Sequence, residues 1–227
     1  MDIRVNGPRI LFEIPVFGGI QITQSIMNTW LLMAVITLAS VILTRGMRLR
    51  KPGRRQLAAE TIVKAALGMV SKNAGTENIN VCAFASSLFA LALFSGIMGA
   101  IGIFAPPADL STCLGWSITA FAAITIRRIR KQKITGYIRS FAQPYALMTP
   151  INIISEISLP VSMAFRMFGN IASGAVVMLL LHAALGGIIF RIGIPALFSI
   201  YFDIFSSALQ AFIMSTLTLI YIRLADE

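Results

Sequence analysis

Glu156, Arg166, His182 and Asp203 are four ionisable side chains that stand apart from the charged loops and chain ends of an otherwise apolar sequence. Arg166 makes the strongest demand. A guanidinium stays protonated in a protein, and at mid-membrane it costs about 2.5–3.5 kcal/mol on insertion scales. Ser162, Asn170 and Ser173 lie at i−4, i+4 and i+7 from Arg166, so the four share one side of a helix. Further on, Asp203, Ser206 or Ser207, and Gln210 repeat at i, i+3/4 and i+7 and make a second polar stripe. Polar stripes carrying titratable groups within apolar helices are how ion and proton relays are built, and two such stripes read as enclosing a hydrated path.

Each of these residues has a plainer reading. Arg166 could snorkel to the interface or form a buried structural ion pair. Asn170 and Gln210 could be hydrogen-bond glue between helices. His182, alone on a leucine-rich stretch, reads as a structural histidine, although its ordinary pKa suits proton work. Glu156 reads as solvated near a helix end, and Met163, Met167 and Met178 as packing. Gly169, Gly174, Ala164 and Ala172 are small enough to admit a neighbouring helix.

The elements that position these residues are membrane helices. Hydrophobic residues make up 57% of the 227 and charged residues 12%, with a mean hydropathy of +0.82, far from a soluble domain with about a quarter of its residues charged. The formal charge of +10 would point to nucleic acid in a soluble protein. Here the basic residues gather at segment ends, so the partner is the lipid bilayer and no nucleic acid is expected. Cys82 and Cys113 occur singly beside one histidine, so no disulfide framework, metal site or cofactor is indicated. The first nineteen residues contain no apolar core of a signal peptide, and the mature chain is expected to begin near Met1.

The reading is an all-α polytopic membrane protein, a single membrane domain over 1–227 with five crossing helices and one interfacial amphipathic helix. An outer amino-terminal segment, 1–21, precedes a first span at 22–44. Arg45–Arg55 then holds six basic residues and no acid. Over 54–72, Ala58, Ile62, Ala66, Met69 and Val70 recur at helical spacing opposite Gln56, Glu60, Lys64 and Ser71, which suits a helix lying on the membrane or, equally on periodicity, a soluble linker helix. Glu60 and Lys64 are placed for an i, i+4 pair. Spans at 80–104 and 110–126 follow, then a second acid-free loop with Arg127, Arg128, Arg130, Lys131, Lys133 and Arg139. The segments 145–190 and 195–224 complete the chain. The first exceeds twice the ~30 Å hydrocarbon thickness at about 1.5 Å per residue, so it must tilt or bend.

The runs PINIISEISLPVSMAFRMFGNIASG (Pro150–Gly174) and FDIFSSALQAFIMSTLTLIYI (Phe202–Ile222), with GYIRSFAQP (Gly136–Pro144) and APPADL (Ala105–Leu110) upstream, resemble subunit a of F-type ATP synthases. The resemblance covers essentially the whole chain. It implies that the last two helices form a tilted hairpin against a rotating ring of c subunits, with peripheral-stalk b subunits as further partners. It also implies that the chain is not itself catalytic. Arg166 would be the essential charge that ionises the ring carboxylate, with an ion path drawn from Asn170, Asp203, Gln210, Ser162, Ser173, Ser206, Glu156 and His182. Two positions depart from the family pattern: Ala175 stands where many relatives carry His or Glu, and Gly96 stands where an Asn is common. The resemblance leaves open whether the ion is H⁺ or Na⁺. The alternative class is a stand-alone channel or secondary transporter using the midplane arginine for an anionic substrate. Such proteins show paired broken helices or inverted repeats, and this sequence shows neither.

The Lys/Arg bias puts both basic loops in the cytoplasm, so Met1 is expected outside and Glu227 inside, in a bacterial plasma (inner) membrane. A cysteine replacing Asn6 should react with an impermeant reagent from outside, and one replacing Arg130 should not. Equal protection of the two sites from outside would overturn this topology.

Overall fold

A computed structural model describes residues 9–14, 20–45, 53–74, 79–142, 145–184, 198 and 200–226. Six helices make up most of it: α1 (Gln24–Thr44), α2 (Arg54–Ala74), α3 (Ile79–Ala100), α4 (Leu110–Phe141), α5 (Thr149–Ala184) and α6 (Ser206–Asp226), with a π-helical turn, Ile200–Phe205, leading into α6. Among the described residues, five stretches are long and apolar enough to cross a membrane: α1, α3, α4, Thr149–Leu181 within α5, and Ile200–Leu224, which joins the π-turn to α6. The all-α polytopic reading therefore stands. The connection between α5 and α6, expected to turn at Arg191–Gly193, lies outside the described residues.

Two features depart from the sequence reading. The outer segment contains a short antiparallel pair, β1 (Ile10–Ile14) with β2 (Ile20–Thr23), in which Glu13 faces Gln21 and accepts a hydrogen bond from its Nε2 at 3.3 Å. Alternation of Ile10, Phe12 and Ile14 is a strand period, and the Gln24 amide, bonded to the Arg9 carbonyl at 2.9 Å, ties the pair to α1. The other departure is α4, which does not end at Ile126. Lys and Arg are good helix formers, so the basic stretch read as a loop continues as helix to Phe141. Within it, Lys133 has φ 60° and ψ 165°, a strained conformation for a residue with a Cβ, and the chain turns there.

Helix α2 is not among the membrane-crossing candidates. Val70, with Ala66, Leu67 and Met69, joins a core with Val81, Cys82 and Ala85 of α3, Ile124 of α4, and Leu219 and Ile222 of α6, so α2 is docked and not a free linker. Ile62, expected on that inner side, is exposed together with Leu57 and Val63, an apolar outer edge that suits a helix at the membrane surface. Glu60 accepts a hydrogen bond from Gln56 Nε2 at 2.9 Å; among the described residues it forms no pair with Lys64.

Two turns are fixed by identifiable chemistry. After α3, Gly102 takes φ 84°, which glycine adopts without penalty. Pro106–Ala108 then forms a 3-10 turn, and Asp109 caps α4 by accepting from the Ser111 amide at 3.0 Å. Asn28 of α1 donates to the Phe104 carbonyl of this connection at 2.8 Å.

Helix α5 packs chiefly on α4, and α6 chiefly on α3. A core of Ala92, Cys113, Ala120, Met163, Ala164, Met167, Ala211 and Met214 joins all four, which bears out the packing roles of Met163 and Met167. Helix α5 approaches the final segment closely at Gly174, where an added Cβ would sit 3.1 Å from the Phe202 Cβ. Gly174→Val should therefore push these helices apart and cost about 1–3 kcal/mol, seen as a lower midpoint of thermal unfolding. An unchanged midpoint would mean that the contact is not held in solution.

Candidate functional site

Arg166 sits halfway along α5, seventeen residues after Thr149 and eighteen before Ala184 (166 − 149 and 184 − 166). At about 1.5 Å per residue, either end is some 25 Å away. It is exposed and, among the described residues, has no ion-pair or hydrogen-bond partner. Among the described residues, then, nothing pairs with this arginine as a structural ion pair would require. Its surroundings are apolar, with Val161 38% and Phe165 54% exposed on the same helix.

The orientation follows from two competing stripes. Met163, Ala164 and Met167 are 4%, 0% and 2% exposed, so they bury one side of α5. Ser162, Arg166, Gly169 and Ser173 are thereby left on the open side. At Gly169 an added Cβ would meet nothing within 4 Å; of the small residues singled out, Gly174 and Ala164 serve close packing inside the chain, and Gly169 does not.

Asn170 is the member of the stripe that turns inward. Its Nδ2 donates to Gln210 Oε1 at 3.5 Å, the outer limit of a hydrogen bond. Gln210 is 5% exposed and Ser207 7%. With Ser95, Ser206 and the backbone around Pro107 they line a cavity of about 10 Å³, at the threshold for a single water. Among the described residues, the two polar stripes meet at this contact. Ser206 is half-buried at this cavity, whereas Ser173 donates to the Asn170 carbonyl at 3.1 Å. Ala175 is exposed on α5, and Gly96 is buried in α3. Asp203 falls in the π-helical turn and His182 near the end of α5; their side chains lie outside the described residues.

Glu156 is not solvated as expected. Arg128 Nη1 contacts both of its carboxylate oxygens, at 2.9 and 3.1 Å, and the Tyr137 hydroxyl lies 3.5 Å from Oε1. Residues 128 and 137 are nine apart, so on a straight helix they would point in opposite directions, at about 100° per residue. Both reach Glu156 because the chain turns at Lys133 between them. Pro160 lies four residues after Glu156 inside α5 and has no amide to return to the Glu156 carbonyl, which loosens the helix at this cluster. Sequence reasoning missed Arg128 and Tyr137: six cations were available to one carboxylate, and nothing in their spacing singles out Arg128.

A model of the family described as ATP synthase A chain matches residues 26–223. This chain belongs to that family. A relative from Crocosphaera subtropica, named ATP synthase subunit a 1, is 30% identical over 89% of this chain and 86% of its own length. One from Moorella thermoacetica, named ATP synthase subunit a, is 30% identical over 92% and 94%. A third, from Propionigenium modestum, is named ATP synthase subunit a, sodium ion specific, and is 26% identical over 96% and 85%. The chain is accordingly an integral multi-pass membrane protein and a non-catalytic, ion-translocating subunit of the ATP synthase complex.

The Arg128–Glu156 pair is about four-fifths buried, with side chains 19% and 23% exposed, so removing one partner strands a partly desolvated charge. Glu156→Gln and Arg128→Gln should each destabilise the assembled protein, and a double-mutant cycle should return a coupling of about 1–3 kcal/mol, between the exposed and buried limits. A coupling near zero would show that the pair carries no structural weight.

Proposed function

We propose that this chain is the stationary half of a rotary ion-driven motor, and that Arg166 is the charge through which a ring of c subunits is coupled to ion flow. The observation that carries this reading is the guanidinium exposed mid-helix, with no charged partner among the described residues. Such a group is tolerated only where a partner brings an opposite charge to it. A carboxylate carried on each ring subunit supplies that charge. Neutral with its ion bound, it can face lipid; beside Arg166 its ionised form is favoured, as a nearby cation lowers a carboxyl pKa, and the ion leaves. The same fixed charge bars cations from crossing directly, so each ion must ride the ring.

Two offset half-channels meet this point. The outer one is built from Asn170, Gln210, Ser206 and Asp203, with the wall that α5 and α6 lack supplied by the ring. With Ala175 in place of an acidic or imidazole group, Asp203 is its acidic member. The inner one opens toward Glu156. Ser162 and Ser173 flank Arg166 on the ring-facing side, and His182 serves packing. The transported ion is H⁺ or Na⁺. Peripheral-stalk b subunits hold the chain still, and the assembly sits in a bacterial plasma membrane with Met1 outside and Glu227 in the cytoplasm.

Arg166→Ala should reduce ATP-driven pumping in inverted vesicles to background while the complex still assembles, because what is lost is a charge on an open surface and not a core contact. Lysine at this position should rescue poorly, since it lacks the planar fork and loses its proton more readily when desolvated. Normal pumping by Arg166→Ala would remove this residue from the mechanism.

A further inference from the structure

The basic turn of α4 divides its charges between two sides. Arg128 faces α5 and is neutralised by Glu156. On the other side, Ala123, Ile126, Arg127, Arg130 and Lys131 follow i, i+3, i+4, i+7 and i+8 spacing, so they form one stripe. That stripe lines a cavity of about 530 Å³ between the start of α3 and the end of α6, within the range of small-molecule sites.

The cavity is amphipathic along its depth. Arg130 and Lys131 lie at its rim, exposed and without ion-pair partners among the described residues. Arg127 and Asn80 also line it and each already has an interaction partner, so the charge considered for a ligand is that of Arg130 and Lys131. Its walls are hydrocarbon: Val81 and Phe84 from α3, Ile222 from α6, and Ala123 and Ile126 one turn and more below the charges. Among the described residues no acid lines it, and none occurs between Asp109 and Glu156 in the sequence. It lies at the first turn of α3, the end of the apolar run of α4 and the last turns of α6, the ends of three stretches apolar enough to cross a membrane.

We propose that this cavity is a binding site for an anionic phospholipid, with the headgroup phosphate held by Arg130 and Lys131 and an acyl chain lying along Phe84, Ile126 and Ile222. A free phosphate would use the rim and leave the apolar walls unexplained. A zwitterionic lipid would fill the walls and leave two cations uncompensated. Basic pockets between membrane helices bind anionic headgroups by this combination of charge and depth. The site is separate from Arg166 and does not depend on its role.

The test is photolabelling of the intact ATP synthase complex in phosphatidylcholine vesicles doped with a photoactivatable phosphatidylglycerol, with adducts mapped by mass spectrometry. Adducts are expected on the peptides holding Phe84 and Ile126, several-fold above those from a phosphatidylcholine probe. R130Q/K131Q should lower them about tenfold or more, since each interfacial cation contributes roughly a fivefold factor, and Arg166→Ala should leave them unchanged. If R130Q/K131Q fails to assemble, the charge-preserving R130K/K131R must keep the labelling. Equal labelling by the two probes, labelling unaffected by R130Q/K131Q, loss of the adduct on adding inorganic phosphate, or absence of label because another subunit covers the cavity would each overturn the proposal.

Discussion

The cost of placing a guanidinium in hydrocarbon governs this structure. Arg166 cannot lose its proton, sits at the middle of a helix about 54 Å long, and finds no anion among the described residues. A fold that keeps such a group on its open side is incomplete alone. The arrangement of the other helices follows: α5 is buried on one side against α4 and α6 through Met163, Ala164 and Met167, which leaves the charged side facing outward.

Polar groups elsewhere show the same constraint in a milder form. Ser95, Ser215 and Thr218 are buried and return their hydroxyls to carbonyls three or four residues back on their own helices, the usual way to satisfy a hydroxyl where no water reaches. Glu156 draws Arg128 to it, and a strained residue, Lys133, is tolerated so that Tyr137 can join them. Among the described residues, the charge at Glu156 is neutralised within the chain and that of Arg166 is not.

Much of this was legible in the sequence because hydropathy and length act locally. The spans, the position of Arg166 and the spacing of its stripe need only one helix at a time. What the sequence withheld depends on which side of a helix is covered. Met163, Ala164 and Met167 form one apolar edge of α5, and Val161 and Phe165 form another; only packing against Ala120 and Met214 decides that the first is buried. Likewise, the meeting of Asn170 with Gln210 depends on how α5 and α6 pack and is not visible in either stripe alone. The continuation of α4 beyond Ile126 was hidden because a basic run at a membrane boundary reads as a loop, although its residues favour helix. The β1–β2 pair carried a signal of alternating Ile10, Phe12 and Ile14 too short to stand out beside twenty-residue spans.

The packed side of α5, which flanks Arg166, has a mechanical meaning. Met163, Ala164 and Met167 are wedged among Cys113 and Ala120 of α4 and Ala211 and Met214 of α6, at the density of a protein interior, which yields little under load. A sideways pull on the arginine is therefore not absorbed by bending α5. It passes through this wedge into α4 and α6 and spreads over the bundle, so the charge behaves as a fixed tooth and not as a spring.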